Sequence, residues 1–436
     1  MGETIQFPKD FLWGTATSAH QVEGDNVYSD WWAYEQTPGH IQRNDKSGRA
    51  CDHYHRFAED FDICRTMNNN AFRMSIEWAR IEPQPGNIDQ QEIDHYHQVL
   101  DALDQRGMTA FVTVHHFTLP MWFALRGGFV KAENLDYFER YCRTLAEAFG
   151  DRVRFWNTIN EPSIYAMMSY LFGFFAPGEK NFFVFRKVMQ NVLAAHAIAY
   201  HTLKQANPQA QIGLVKNIPY YTPYNPQNPL DRLSAKQHDW LYNAFILEGV
   251  RTGKRHRPLG DGDVLPGLAG STDFWGLNYY NQSRCSWKWP IATHNNGESH
   301  RLTQTGWAPY PPGLKANLLR LAEFGLPIYV TENGIATDDD DWRDAYLLEH
   351  LRQVHEAITV DVDIRGYFYW SLIDNFEWED GWFPQFGLVG FDPKTYQRRP
   401  KRIAQLYGKI AKANAVKKEW FEQHPWDMST MDAAQK

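Results

Sequence analysis

The sequence predicts a single α/β domain, a (β/α)8 TIM barrel with elaborated βα loops, and three observations carry that prediction. Eight short β-rich runs recur along the 436 residues, amphipathic helical sequence alternates with them, and no Ser/Gly-rich linker divides the chain. The runs occupy 11–14, 71–75, 110–114, 155–160, 212–215, 274–279, 328–331 and 366–370. Several are apolar on both faces, as strands must be when helices cover one side and a filled barrel interior the other. A minimal barrel takes roughly 250 residues and accepts long insertions where strands lead into helices. The surplus is assigned to 25–47, 162–180, 219–230, 284–305 and 377–399.

Between the runs, 133–149 aligns Leu135, Phe138, Cys142, Leu145 and Phe149 on one helical face, with Gly150 as its stop. A second helix is expected at 92–106, ended by Gly107. A third at 187–205 aligns Val188, Val192, Ala195, Ala199 and Leu203 before Asn207-Pro208 breaks it. The uncharged stretch 162–178 is interrupted by Ser, Tyr, Gly and Pro and reads as an aromatic loop, since a membrane span needs about 20 apolar residues. The barrel domain is expected to cover 1–416, followed by a polar, loosely held tail at 417–436.

Composition narrows the function classes. The chain carries 44 basic and 52 acidic residues, a net charge of −8, with no like-charge block longer than the aspartates 338–341, which argues against a nucleic-acid partner. Cys51, Cys64, Cys142 and Cys285 lie far apart, so they are expected to be reduced and mostly buried. Residues 1–10 contain no apolar core of a secretory leader, and a cytoplasmic location with no membrane association is the expectation.

Catalytic groups of such barrels lie at the C-terminal ends of strands. The fourth run leads into Asn160-Glu161-Pro162 and the seventh into Thr331-Glu332-Asn333-Gly334. Two carboxylates on opposite parts of an eight-stranded rim can face each other across a pocket, which is what glycosidic cleavage requires. The 17 Trp and 22 Tyr offer faces suited to the C–H surfaces of sugar rings, although such side chains serve equally in a core.

Five motifs in order turn this into a resemblance covering about 7–407. They are Phe11-Leu12-Trp13-Gly14-Thr15-Ala16-Thr17-Ser18-Ala19-His20-Gln21-Val22-Glu23-Gly24, Thr158-Ile159-Asn160-Glu161-Pro162, Asn278-Tyr279-Tyr280, Thr331-Glu332-Asn333-Gly334 and Trp370-Ser371-Leu372-Ile373-Asp374-Asn375-Phe376-Glu377-Trp378. The chain resembles glycoside hydrolase family 1, the β-glucosidase family of retaining enzymes. The resemblance implies that Glu161 is the general acid/base and Glu332 the nucleophile, with Arg73, Asn278 and Tyr280 supporting the nucleophile. A cation and a phenolic hydrogen bond both favour a carboxylate form, while the acid needs a raised pKa, and a retaining reaction implies carboxyl groups about 5–5.5 Å apart. Gln21, His116, Asn160, Glu377 and Trp378 are implied as sugar ligands, and Trp370 as the platform under the ring. No metal site or cofactor is implied, and the His115-His116 pair lacks any metal-ligand spacing.

The resemblance further implies a small β-glycoside or oligosaccharide as substrate. The intact Phe376-Glu377-Trp378, followed by Glu379-Asp380, argues for an unphosphorylated glucosyl-type sugar, with galactosyl and fucosyl as variants, because acidic groups repel a phosphate. Departures from the family pattern fall at Phe117-Thr118-Leu119-Pro120, at Ser163 where Trp is usual, and at Gly381-Trp382-Phe383-Pro384-Gln385-Phe386-Gly387. The first two leave the leaving-group preference open. Tyr165, Met168, Phe172, Phe174, Phe175 and Trp307 are candidates for that outer subsite, with core packing the equally weighted alternative. A non-catalytic sugar-binding barrel is the competing class, but such proteins usually lose a carboxylate and both are present here.

Overall fold

All eight predicted runs are strands. In the computed structural model, which describes residues 4–289, 292 and 301–427, they are β1 (Leu12–Ala16), β2 (Ala71–Ser75), β3 (Thr109–His115), β4 (Phe155–Asn160), β5 (Gln211–Asn217), β6 (Phe274–Asn278), β7 (Ile328–Asn333) and β8 (Ile364–Trp370). They close into one parallel barrel in chain order, β8 pairing back onto β1. No strand boundary differs from its run by more than two residues; at β5 the added end Lys216-Asn217 is polar and so hides its strand character. Pairing of Lys216 with Leu277 and of Asn217 with Asn278 holds it in the sheet.

The lower interior is an aromatic plug. Phe111 stacks on Phe155 with ring centroids 4.3 Å apart, and Phe274, Tyr329 and Phe368 close around them edge-on or tilted. Room for it comes from two glycines. A Cβ on Gly14 would stand 2.4 Å from the Phe368 ring and one on Gly213 2.3 Å from Phe274, so any side chain there would displace the plug. This floor forces polar groups at the strand ends to point into the space above it.

The helical layer follows from amphipathic sequence and local caps. Leu135–Phe149 buries Leu135, Phe138, Tyr141, Cys142, Leu145 and Phe149. Gly150 follows it, but with a right-handed φ of −64°, and what excludes a side chain there is the Ala146 carbonyl 2.4 Å from a built Cβ. The second predicted helix is Gln90–Asp104, capped by Asp89 onto the Gln91 N–H. The third begins five residues earlier than expected, as Phe182–Ala206, because Asn181 accepts from the Phe183 and Val184 N–H groups and nucleates the turn.

The insertions gather at the C-terminal end of the barrel. The 162–178 stretch corrects its expectation as a loop in its first part, where Pro162–Ala166 is helical and runs into a π-helical turn, Met167–Leu171, while 172–178 is the irregular aromatic segment expected. The 219–230 insert contributes Tyr220–Pro223, which pairs in parallel with Gln282–Cys285, and residues 290, 291 and 293–300 of the 284–305 insert lie outside the described residues. At the opposite end Ile5–Gln6 pairs with Ala415–Val416. The segment expected as a loosely held tail instead carries the helix Lys418–Gln423, with Trp420 and Phe421 buried, while 428–436 lie outside the described residues. All four cysteines are buried and unpaired, and among the described residues no helix is long and apolar enough to cross a membrane.

Candidate active site

The strand ends converge on one deep pocket. Glu161 follows β4 and caps the Pro162–Ala166 helix from a left-handed backbone conformation, φ 47°. A non-glycine residue held there costs of the order of 1 kcal/mol, and the cost is tolerated because the Glu161 N–H is tied to the Val215 carbonyl of β5 at 2.9 Å. Its carboxylate oxygen Oε1 accepts from Asn278 Nδ2 at 2.7 Å. Burial raises its pKa to about 8, and the Glu332 carboxylate pushes in the same direction.

Glu332, within β7, is held quite differently. Oε1 accepts a short charge-assisted bond from Arg73 Nη1, and Oε2 accepts from the Tyr280 hydroxyl at 2.6 Å. Arg73 is fully buried, and its other arm donates to Asn160 Oδ1 at 2.7 Å. Asn278 Nδ2 also donates to that oxygen at 3.2 Å, while Thr331 Oγ1 donates to Asn278 Oδ1 at 2.7 Å. With Oδ1 of Asn160 receiving two donors, its Nδ2 must face His116 Nε2, 3.0 Å away. Nε2 is then an acceptor and the ring proton sits on Nδ1. Burial, followed by the Arg73 charge, pushes the His116 pKa well below its ordinary value, so the ring is neutral.

One hydrogen-bonded chain therefore runs from β3 through β4, β2 and β7 to the loop after β6, and it fixes both glutamates. Arg73 and Asn278 stand behind the pocket wall, whereas Glu161, Glu332, Tyr280, His116, Asn160, Trp370, Glu377 and Trp378 line it. The structure thus brings together the residues expected at the site, but the Asn278 side chain, expected to support the nucleophile, bonds to Glu161, Asn160 and Thr331 and not to Glu332, and Gln21 lies one layer back. Its amide nitrogen donates to Asn375 Oδ1, the Phe376 carbonyl and Glu377 Oε2, and its carbonyl accepts from Ser18, so its hydrogen bonds hold the 375–377 turn. Burial, and then Asp380, pushes the Glu377 pKa well up. Neighbouring Glu379 rises to about 8 and Asp380 to about 6, each chiefly through burial, and no cation is paired with any of them among the described residues.

The outer wall sorts the remaining candidates. Met168, Phe172, Phe175 and Trp307 line the pocket. Tyr165 is buried against His115 and Phe129, and Phe174 is exposed outside it. Sequence reasoning missed Ile164, Met167, Pro219, Tyr221, His238 and Tyr242, which complete that wall. Tyr242 belongs to a second π-helical turn, Trp240–Ala244, and Ser163 donates to its carbonyl at 2.8 Å. Such turns often occur at functional sites, yet no composition signal announces them. Phe117 packs on Trp378 at 5.1 Å between centroids, so that departure from the family pattern abuts the sugar pocket itself.

A closed (β/α)8 barrel that holds two buried glutamates in one pocket, one gripped by a cation and a phenol and the other of raised proton affinity, is a glycoside hydrolase. Comparison with known proteins gives the particular family. The model for glycosyl hydrolase family 1 matches residues 3–416, and the chain belongs to that family. It is a retaining β-glycosidase of the β-glucosidase type. The chain is similar to β-glucosidase A of Thermotoga maritima, 34% identical over 94% of this chain and 99% of the relative. Among solved structures it is similar to the β-glycosidase from Pyrococcus horikoshii, with a TM-score of 0.90, 39% identity, and coverage of 98% of this chain and 99% of the other. The family 1 β-glucosidase from T. maritima in complex with isofagomine lactam also gives a TM-score of 0.90, at 33% identity and coverage of 95% and 100%.

Proposed function

We propose that Glu332 is the nucleophile and Glu161 the acid/base of an enzyme that releases terminal, non-reducing, unphosphorylated β-glucosyl units, with cellobiose-type disaccharides and small glycosides as substrates. Galactosyl and fucosyl units are the variants of the same pocket. The observation that carries the role assignment is the unequal support of the two carboxylates. Glu332 receives Arg73 and Tyr280, while Glu161 is buried, accepts one amide and holds its proton to about 8. In the first step an oxygen of Glu332 bonds to the anomeric carbon as the glycosidic C–O bond breaks, and the departing oxygen takes the proton of Glu161. In the second step Glu161 takes a proton from water, and the water oxygen displaces Glu332 with a second inversion.

His116, Asn160, Glu377, Trp378 and, through the 375–377 turn, Gln21 serve the sugar hydroxyls, with Trp370 as the ring platform. The surroundings of Glu377, Glu379 and Asp380 support the unphosphorylated sugar, because among the described residues no cation is paired with them that could compensate a phosphate dianion, and a dianion would oppose their ionisation further. Four buried thiols without a disulfide suit a reducing compartment, and the reading extends to the cytoplasm on that ground.

The test is p-nitrophenol release from the β-glucoside by Glu332→Ala and Glu161→Ala, with and without azide. Glu332→Ala should be inactive and yield the α-glucosyl azide when azide is added; Glu161→Ala should lose about 10²–10⁴-fold and yield the β-azide. Reversed products, or no rescue of either variant when both remain folded, would sink the assignment.

A further inference from the structure

Lys216 is a buried lysine that the reaction described above does not use. It is the penultimate residue of β5, has no exposed surface, and stands next to Val215, whose carbonyl anchors the Glu161 N–H. Among the described residues its Nζ has no carboxylate within ion-pair distance. Instead it donates to the Asn217 carbonyl, approaches Asn243 Oδ1 at 3.5 Å and sits 4.0 Å over the centre of the Tyr242 ring. Those contacts tie it to the pocket. The Tyr242 hydroxyl donates to Asn217 Oδ1 at 2.9 Å, and both Tyr242 and Asn217 line the same wall as Glu161. An ammonium without a carboxylate partner is costly to bury, and among the described residues the ring face and two oxygens are the contacts its Nζ makes.

We propose that Lys216 is a positioning residue for the acid/base: its cation, held against Tyr242 and Asn217, supports the ionised form of Glu161 while the glycosyl-enzyme is hydrolysed. This rests on the assignment of Glu161 as acid/base. The charged and titratable groups around Glu161 are Glu332, Glu377, Arg73, Tyr280, Tyr242 and Lys216. Of the two cations Lys216 acts on Glu161 more strongly than Arg73, which is engaged by Glu332. His116 and His238 line the same pocket, and His116 is neutral. Around Lys216, Glu161 is the dominant charge, with Arg320 and Asp239 behind it as an ion pair at 2.7 Å. Burial outweighs every other influence and holds the Lys216 pKa well below its ordinary value, while the Glu161 carboxylate is the leading charge that opposes this, so the lysine keeps its proton best when Glu161 is ionised. Before glycosylation the Glu332 carboxylate opposes ionisation of Glu161. Once Glu332 is esterified by the sugar that opposition is gone, and Lys216 and Arg73 are the cations that favour the carboxylate form of Glu161.

The experiment uses 2,4-dinitrophenyl β-glucoside, whose leaving group needs no acid, so that hydrolysis of the glycosyl-enzyme limits kcat. In Lys216→Met the acid limb of kcat should move up by about one pH unit, roughly a tenfold loss at fixed pH on that limb. kcat/KM, which reports glycosylation, should stay within about twofold, and azide, which needs no base, should restore kcat. Lys216→Arg should keep the wild-type profile. Lys216→Gln, which retains hydrogen bonding without charge, should behave like Lys216→Met and provides the same measurement if the methionine variant does not fold. A parallel fall of kcat and kcat/KM, an unmoved acid limb, or loss that azide does not repair overturns the proposal. Glu161→Ala in the same assay separates the two readings: absence of azide rescue there removes the acid/base assignment itself, whereas rescue there without rescue in the lysine variants removes only the role of Lys216.

Discussion

The inner end of the pocket and its mouth are built by different means. At the inner end, side chains from β2, β4 and β7, from the residue that follows β3 and from the segment around the end of β6 meet in a continuous chain of hydrogen bonds from His116 to Tyr280. At the mouth, Ile164, Met167, Met168 and Phe172 face Pro219, Tyr221, His238 and Tyr242, and the two sides are tied by the Ser163 hydroxyl on the Tyr242 carbonyl. The inner geometry is set by barrel register, which gives both Glu332 oxygens, Glu161 Oε1 and the Asn160 amide their partners. The outer geometry is set by packing of loop against loop, where methionine and aliphatic side chains adapt at small cost. On the proposed assignment, chemistry belongs to the end held by strand-to-strand hydrogen bonds and selectivity for the leaving group to the end built by loops.

That contrast can be broken most severely at the inner end. Tyr280→Phe removes one hydrogen bond to a charged oxygen of Glu332 and nothing else, and a bond of that kind is worth about 1.5–3 kcal/mol, so kcat should fall roughly 10- to 100-fold. The thermal midpoint should change little, and equal activity of the two proteins would show that the phenol does not serve the nucleophile. The pH dependence gives the next effect. Glu161 must carry its proton to act as acid, and its proton is held to about 8, so the alkaline limb of kcat/KM should turn down near that value and fall about tenfold per unit above it. With a 2,4-dinitrophenyl leaving group the alkaline limb of kcat/KM should disappear, and its persistence would assign the limb to another group. The smallest effect belongs at the mouth. Met168→Gln should lower kcat/KM for octyl and aryl β-glucosides by roughly three- to tenfold while leaving β-glucosyl fluoride, which has no bulky leaving group, unchanged. An equal loss on the fluoride would erase the distinction between the two ends.

The two ends were also unequally legible in the sequence. Glu161 and Glu332 could be read because each directly follows an apolar β-run, and a barrel sends such residues to one rim. Met168, Phe172, Phe175 and Trp307 were visible as candidates, but nothing local separated them from Tyr165, which packs into the core, or Phe174, which faces solvent. Tyr242 left no trace, since it reaches the pocket through a π-helical turn and through contact with Ser163, 79 positions away. Gln21 illustrates a further limit: its presence near the site was legible, but its place one layer behind Glu377 depends on which neighbours claim its amide.

By itself the sequence determined the eight alternations that close the barrel, the two strand-end glutamates and the absence of positive charge beside Glu377, because period and residue chemistry are local properties of the chain. Only the tertiary structure decided that Glu332 pairs with Arg73 while Glu161 accepts from Asn278, that Lys216 is buried at all, and that a terminal segment of polar composition anchors Trp420 and Phe421. Proton affinity, burial and hydrogen-bond choice depend on which distant residues share a few ångströms, and the folded chain alone fixes those neighbours.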